Sequence, residues 1–368
     1  MVSVLHLIND VTSTSIPLEI AEKIHTTTEI EVHVAAFYDI ASKDIDPDVA
    51  DFEVPITNLG GQSRFDLKAY RNLRRLLAGV DVIHTHQNFV GSAARIVGKT
   101  TDVKIVNTEH NDHHYFTHLQ NLVNAPTLPL ADCIVTNSQA TLNSFRWYER
   151  PVVQMTDTRV VYNGVDLGRI DAQEPADSFG DDPVIVTVGA LIDQKNQALL
   201  IQAMEEVLEQ FPNAKLVIVG DGPLREELER MANEIGVASN VIFAGYVPTR
   251  EEVYQVMKAA TVFAMSSDYE GFCVAAVEAM ACGVPVVASD LTVFHEVIGE
   301  NGVFAERGDV KEFAAALNKL LADANRRAEL ADQMRRRAES KYPLKKTAED
   351  YRDIYVSLLN KRTPSSST

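Results

Sequence analysis

Residues 266–287 read SSDYEGFCVAAVEAMACGVPVV, a run of small and apolar side chains that nonetheless carries carboxylates at Glu270 and Glu278. The run opens at the end of VFAMSS, a segment of strand character, and Asp268 to Gly271 read as a turn. A helix is expected to begin near Phe272 and to end at about Cys282, where Gly283 and Pro285 stop it. PVVAS, from residue 285, then reads as the next strand. Two strands joined by a helix are the unit of a parallel sheet, because parallel neighbours need a crossover connection.

The same alternation runs outward in both directions. Upstream in this half, VIVTVGA at 184, KLVIVGD at 215 and VIFAGY at 241 read as strands, separated by helical segments such as NQALLIQAMEEVLEQF and PLREELERMANEIG. Thr249 and Glu252 stand at the spacing of a capping box and mark one helix start. The first half carries strand-like runs as well: VSVLHLI at 2, EVHVAAFY at 31, VDVIHTH at 80, KIVNTEH at 104, CIVTNS at 133 and RVVYNGV at 159. In LKAYRNLRRLLAG, residues Ala69, Tyr70, Leu73, Leu76 and Leu77 fall on one helical stripe. Near-continuously apolar strands argue for parallel sheets covered on both faces.

Residues 168–183, GRIDAQEPADSFGDDP, lose the pattern and gather Asp, Pro and Gly as a linker does. The chain of 368 residues also exceeds what one core usually supports. The expectation is two doubly wound, Rossmann-like α/β domains facing across a cleft, residues 1–167 and 168–344. A C-terminal helix at about 345–361 is expected to pack back on the first domain, and RTPSSST at 362–368 to form a disordered tail. Ligands of open α/β sheets bind beyond the carboxyl ends of the strands, so the site is sought in the loops that follow them.

A formal net charge of -18 argues against nucleic-acid binding, which depends on clustered Lys and Arg. The cysteines, Cys133, Cys273 and Cys282, are odd in number and lack metal-type spacing, so neither a disulfide framework nor a zinc site is indicated. MVSVLHLIND has no basic start or cleavage site, and no uncharged run is long enough to span a bilayer, so an intracellular protein is expected.

In GDGPLR, Gly220 to Arg225, a strand runs into a Gly-x-Gly turn and a helix. The third glycine of a dinucleotide fingerprint is replaced by Arg225. A tight strand-to-helix turn and a diphosphate approaching the loop backbone both remain open readings. Glu270 sits just before the expected helix of the opening segment, and Glu278 about two turns inside it, nearly in line with Gly271. Free backbone N–H groups at residues 271–274 suit a diphosphate, and a carboxylate deeper in can accept two hydrogen bonds from a ribose diol. The alternative is structural: Glu270 as a cap, and Glu278 as a buried acid satisfied by an arginine or the backbone.

EGFCVAAVE resembles the E-x7-E signature of the retaining glycosyltransferases of the large GT4 class, which have the two-domain GT-B fold. The likeness covers nearly the whole chain. NGVD at 163–166, VGALIDQKN at 188–196, VIVGDGPLREEL ending at Leu228, NVIFAGYV at 240–247 and EAMACGVPVVAS at 278–289 are similar to family motifs in family order. The resemblance implies that Lys195 neutralises the donor diphosphate, that Glu278 binds the ribose, that Glu270 lies beside the donor sugar, and that the backbone at Val247 contacts the base. Gly189, Gly222, Gly271, Phe272, Cys273 and Val274 line the same implied nucleotide site. His110, ending a strand, matches a family histidine near the transferred sugar.

The chain also departs from the family. Ala190 stands where an arginine often follows the glycine, leaving one diphosphate cation missing or supplied elsewhere. Cys273 stands where a glycine usually follows the phenylalanine; its thiol is either activated at the helix start or packed and inert. In place of a glycine pair after the first strand the chain has NDVTSTSIPLEI, where Ser13 and Ser15 are the available donors.

His110, His114 and His118 would stack on one helical face and invite a metal reading, with His113 beside them; loop surface is the alternative for the last three. No D-x-D motif follows a strand, since Asp44, Asp46 and Asp48 fall in a polar loop, so no metal and no cofactor is expected beyond a UDP- or GDP-sugar substrate. Lys68, Arg71 and Arg75 share one helix face with Arg74 beside them, either a solvated surface or a contact with anionic lipid at the inner face of the cell membrane. The expected activity is metal-independent, retaining transfer of a sugar to a glycan or lipid-linked acceptor. The alternatives are a catalytically weak or inactive accessory subunit and, less favoured, an oxidoreductase.

Overall fold

The computed structural model describes residues 2–11, 15–38, 52–86, 88–176, 182–300 and 302–361. Ser13, Asp44, Asp46, Asp48 and the 362–368 tail lie outside the described residues. The chain divides into two compact units, Met1–Asn163 with Leu344–Thr368, and Gly164–Pro343.

The first unit contains β1 (Ser3–Ile8), β2 (Glu31–Tyr38), β3 (Ile56–Gly61), β4 (Val82–Thr85), β5 (Lys104–Glu109), β6 (Cys133–Thr136) and β7 (Asp157–Val160). They form one sheet in the order β3-β2-β1-β4-β5-β6-β7. Every pairing is parallel. The second unit contains β8 (Val184–Val188), β9 (Lys215–Val219), β10 (Val241–Gly245), β11 (Val262–Met265), β12 (Val286–Ser289) and β13 (Val303–Ala305). Their order, β10-β9-β8-β11-β12-β13, repeats the first unit's for six strands, again all parallel. Each unit is thus a doubly wound sheet whose order reverses between its first and fourth strands.

Apolar residues on both faces of the strands explain this layering. One core of the first unit joins Val4, Ile8, Val32, Val82 and Val106 of the sheet to Leu18, Ala21 and Ile24 of the helix Ile16–Thr27. Leu344, Ala348, Tyr351, Ile354, Tyr355 and Leu358 of the C-terminal helix Leu344–Asn360 complete it. The other face buries Leu5, Leu7, Ile83 and Ile105 against Ala69, Tyr70, Leu73 and Leu77, the stripe read from the sequence; Leu76 packs at its margin. Asp66 caps the helix Leu67–Leu76 that carries most of this stripe, accepting from the backbone N–H groups of Lys68 and Ala69. Thr249 likewise caps the helix Arg250–Lys258 by accepting from the N–H of Glu252.

Two strands lie outside the runs read from the sequence, ITNLGG as β3 and VFA at 303 as the short edge strand β13, and two readings change. RVVYNGV leaves the sheet after Val160. The helix expected at Phe272 starts at Val274, because Cys273 takes a left-handed backbone conformation (φ 68°) and stands outside it as the N-cap. Among the described residues no helix is long and apolar enough to cross a membrane.

Because the C-terminal helix fills one face of the first unit's core, Ile354→Ala should lower that unit's unfolding free energy by about 2–5 kcal/mol. Urea denaturation followed by circular dichroism would measure the change, and a loss below about 0.5 kcal/mol would show that the helix is not part of the core.

Candidate functional site

In the second unit β8 and β11 are direct neighbours at the reversal of strand order, so the loops that follow them emerge side by side. The loop after β8 turns through a short 3₁₀ segment, Asp193–Lys195, and Asn196, at φ 46°, leads it into the helix Gln197–Gln210. Asparagine tolerates this left-handed geometry better than most residues. The loop after β11 runs from Ser266 to Cys273. Ser266 Oγ donates to the carbonyls of Lys195 and Asn196, at 3.0 and 2.8 Å, and ties the two loops together.

Lys195 and Glu270 meet at this junction. Lys195 Nζ lies 2.5 Å from Glu270 Oε1, which also accepts from Ser267 Oγ at 2.8 Å. Gln194 Nε2 donates to the Tyr269 carbonyl at 3.0 Å and reaches Glu270 Oε2 at 3.4 Å. Burial opposes the charge on Lys195, but the carboxylate of Glu270 outweighs it and raises the ammonium's pKa, so the lysine is held charged. The result is a cation and an acid fixed at the carboxyl ends of the central strands.

Glu278, four residues into the helix Val274–Ala281, is buried. Its Oε1 forms an ion pair with Arg250 and accepts from the Tyr254 hydroxyl at 3.3 Å. Both partners lie on the helix Arg250–Lys258, which follows the loop of Tyr246, Val247 and Pro248 after β10. Glu278 is thus tied to the helix that follows β10, and Glu270 to the loop that follows β8. The structural alternative considered for Glu278, an arginine partner, is present, and both contacts fall on one of its two oxygens.

The glycines and the remaining loop residues have local reasons. A Cβ on Gly222 would lie 2.5 Å from the Leu191 carbonyl oxygen, and one on Gly220 would lie 2.1 Å from that of Gly189. These positions let the β9 loop pack directly on the β8 loop, where Leu191 N–H donates to the Asp221 carbonyl at 3.0 Å. The tight-turn reading of GDGPLR thus has a steric basis. The aliphatic stem of Lys195 lies across Gly189, where a Cβ would meet it in ordinary contact at 3.5 Å. Phe272 is buried and meets the Tyr342 ring edge-on at 5.6 Å, a packing role. Burial pushes the Cys273 thiol up to about 12, with Glu270 adding to the effect, so the packed, inert reading replaces the activated one.

In the first unit His110 follows β5 and His86 follows β4, beyond the strands next to that sheet's reversal. Their rings are joined, His86 Nδ1 to His110 Nε2, at 3.1 Å. The helical stack of His110, His114 and His118 does not form: a 3₁₀ turn, His113–Tyr115, precedes a helix that starts only at His118. His114 and His118 are exposed, whereas His113 is fully buried, which corrects its reading as loop surface. His113 Nδ1 lies 3.1 Å from both oxygens of Glu149, and its Nε2 lies 3.5 Å from Glu109. Glu109 accepts from Asn107 and Asn124 in a buried network that includes Arg95. Burial opposes the charge on His113, but its two carboxylate partners prevail and lift its pKa to about 9.

Sequence reading missed Arg250, Ser267, Gln194 and the buried His6, His84 and His86. A signal for the last was present: His84 and His86 alternate in VDVIHTH, which places both on one face of a strand.

Over residues 169–340 the chain matches the family described as Glycosyl transferases group 1, and over residues 19–169 the one described as Glycosyltransferase Family 4. It is 39% identical over 159 residues to the GDP-mannose-dependent alpha-(1-6)-phosphatidylinositol monomannoside mannosyltransferase of Mycolicibacterium smegmatis, covering 41% of each chain. The match thus spans less than half that relative's length. Identity to the D-inositol 3-phosphate glycosyltransferase of Xylanimonas cellulosilytica is 28% over 362 residues, covering 87% of this chain and 84% of the other. Among solved structures, Anabaena HepE in complex with UDP and glucose superposes with a TM-score of 0.83 at 19% identity, covering 97% of this chain and all of that one. That likeness bears on the fold.

His113 supplies a pH test. Its pKa is raised from 6.5 to about 9 on folding, so its stabilisation is full below pH 6.5 and is lost as pH rises through about 9. Urea midpoints of the wild type should fall across that window, and those of His113→Gln should be lower and flatter; parallel curves would contradict the buried charge.

Proposed function

Because the chain belongs to the glycosyltransferases of group 1 and Family 4, we propose that it transfers a sugar, with retention of configuration and without a metal, from a UDP- or GDP-sugar to a glycan or lipid-linked acceptor. The Lys195–Glu270 junction at the reversal of the second sheet carries this reading. In it the second unit binds the donor and the first unit the acceptor.

The diphosphate lies at the N–H groups from Gly271 to Val274, ahead of the helix that carries Glu278. Lys195 faces the phosphates, where negative charge grows as the sugar–phosphate bond loosens. Glu270, braced by Ser267, lies beside the oxocarbenium-like sugar and its hydroxyls. Glu278 turns its second oxygen to the ribose while Arg250 and Tyr254 hold the first, and the backbone at Val247 meets the base. The acceptor oxygen attacks from the face the diphosphate leaves, and the departing phosphate takes its proton, so no protein base is needed. His110 hydrogen-bonds hydroxyls of the reacting sugars.

Support for a lipid-linked acceptor comes from the helix Leu67–Leu76. Lys68, Arg71, Arg74 and Arg75 are exposed on it, and Phe65 and Leu67 beside them are 73% and 69% exposed. Aromatic and aliphatic side chains among cations suit the headgroup region of an anionic membrane at the inner face of the cell membrane. Sedimentation with phosphatidylglycerol vesicles should capture the protein, and replacing the four cations by Gln should release it; equal binding to neutral vesicles would count against the contact.

The catalytic roles separate by substitution. Glu278→Ala should weaken donor binding at least tenfold, about 1.4 kcal/mol, whereas Glu270→Ala should remove turnover with a smaller change in affinity. A screen of UDP-, GDP- and ADP-sugars by thermal shift finds the donor first, since a ligand at a hundred times its Kd stabilises the fold by about 2.7 kcal/mol. Wild-type turnover in both variants would refute the assignment, and donor binding without transfer to any acceptor would favour the accessory-subunit reading that Ala190 raises.

A further inference from the structure

Beneath the first unit's sheet reversal lies a chain of hydrogen bonds that the roles given above leave unused. His6 on β1 and His84 on β4 are register partners, and both are fully buried. His6 Nε2 lies 3.0 Å from the Tyr355 hydroxyl, and its Nδ1 lies 3.1 Å from His86 Nε2. His86 Nδ1 continues to His110 Nε2 at 3.1 Å. On the other branch His84 Nδ1 lies 2.7 Å from the same Tyr355 hydroxyl, and its Nε2 lies 2.7 Å from Thr108 Oγ1, which meets the Tyr351 hydroxyl at 3.1 Å.

Ring nitrogens of His6, His84 and His86 fall within 4.8 Å of one another, a spacing that a metal ion could use. Both nitrogens of His84 are already bonded to hydroxyls, however, and its ring lies over that of His86 with centroids 4.1 Å apart, so their in-plane lone pairs do not converge. A hydrogen-bonded chain accounts for these nitrogens without a metal.

The chain constrains where its protons sit. A neutral imidazole has one donor and one acceptor nitrogen, and burial holds these rings in the neutral form, with His6 lowered to about 3 and His110 to about 4. The single proton of the Tyr355 hydroxyl points to His84 or to His6. If it is donated to His84, that ring is protonated on Nε2, and His6, His86 and His110 must each carry the proton on Nε2 to donate along the chain. If it is donated to His6, all four rings carry it on Nδ1. One hydroxyl orientation therefore fixes four tautomers together, and with them whether the free Nδ1 of His110 accepts or donates.

Resting on the reading of His110 as the histidine that meets the sugar hydroxyls, we propose that Tyr355, His6 and His86 are positioning residues that lock His110 in one tautomer for transfer. The lock begins on the C-terminal helix, far along the chain from the strands it serves.

Long-range ¹⁵N–¹H spectra of the ¹⁵N-histidine-labelled full chain at neutral pH test this without donor present. The expected result is one shared tautomer for His6, His84, His86 and His110. A mixture of tautomers among the four in the wild type overturns the proposal. In Tyr355→Phe, His110 should become a tautomer mixture and kcat should fall about tenfold or more with KM for the donor little changed. A Tyr355→Phe variant with unchanged His110 signals, or with wild-type kcat, also overturns it. Should that variant fail to fold, Tyr351→Phe, one bond further out at Thr108, should leave the shared tautomer intact, and its loss there contradicts the assignment of Tyr355 as the switch. If the wild type shows the shared tautomer but no transfer, the functional reading fails while the lock stands.

Discussion

A lysine ammonium held against a buried carboxylate organises the second unit's functional end. Lys195 and Glu270 are 75 positions apart in sequence, and they meet because β8 and β11 pair at the one place where the strand order reverses. Each member answers the desolvation penalty of the other, and the Ser267 hydroxyl takes part of the carboxylate's remaining capacity. Glu270 stands four residues before the helix Val274–Ala281, whose N-terminal dipole favours negative charge. In the proposed transfer, an anion entering there would meet a lysine already charged and fixed, so little reorganisation would be required when the charge of a leaving group develops.

The first unit handles buried polarity differently. Its sheet reversal is backed by neutral imidazoles and tyrosine hydroxyls rather than by ion pairs, while its charges, Arg95, Glu109, His113 and Glu149, are gathered in a second network beside β5. Glu109 belongs to that network and its neighbour His110 to the imidazole chain, so adjacent residues of one strand end tie the two together. Such networks rigidify when every member is satisfied, and they leave His110 anchored on both sides. Asn137 adds a bond to the His110 carbonyl at 2.9 Å.

Much of the architecture was legible because buried parallel strands write themselves as Val- and Ile-rich runs. β3 was not: Asn58, Gly60 and Gly61 look like a turn, and only pairing of Ile56 with Val34 makes them a strand. β13 is too short to show a period. The displaced helix start has a similar cause, since nothing about a cysteine announces a positive φ at residue 273. At the site, Glu270 and Glu278 stood out as carboxylates in an apolar run and Lys195 through motif resemblance, but the arginine that Glu278 pairs with lies 28 positions away on another helix, beyond the reach of any local pattern. His113 was misjudged for the same reason, because the groups that enclose and pair with it, Phe145 and Glu149, lie far downstream, Glu149 by 36 positions.

The central claim is that Lys195 receives the donor's diphosphate. Calorimetric titration of Lys195→Met with the nucleotide sugar and, separately, with the corresponding nucleoside tests it most directly. The account predicts at least a tenfold loss of affinity for the diphosphate-bearing ligand, about 1.4 kcal/mol, with nucleoside binding unchanged. Equal affinity of wild type and variant for the nucleotide sugar would contradict it.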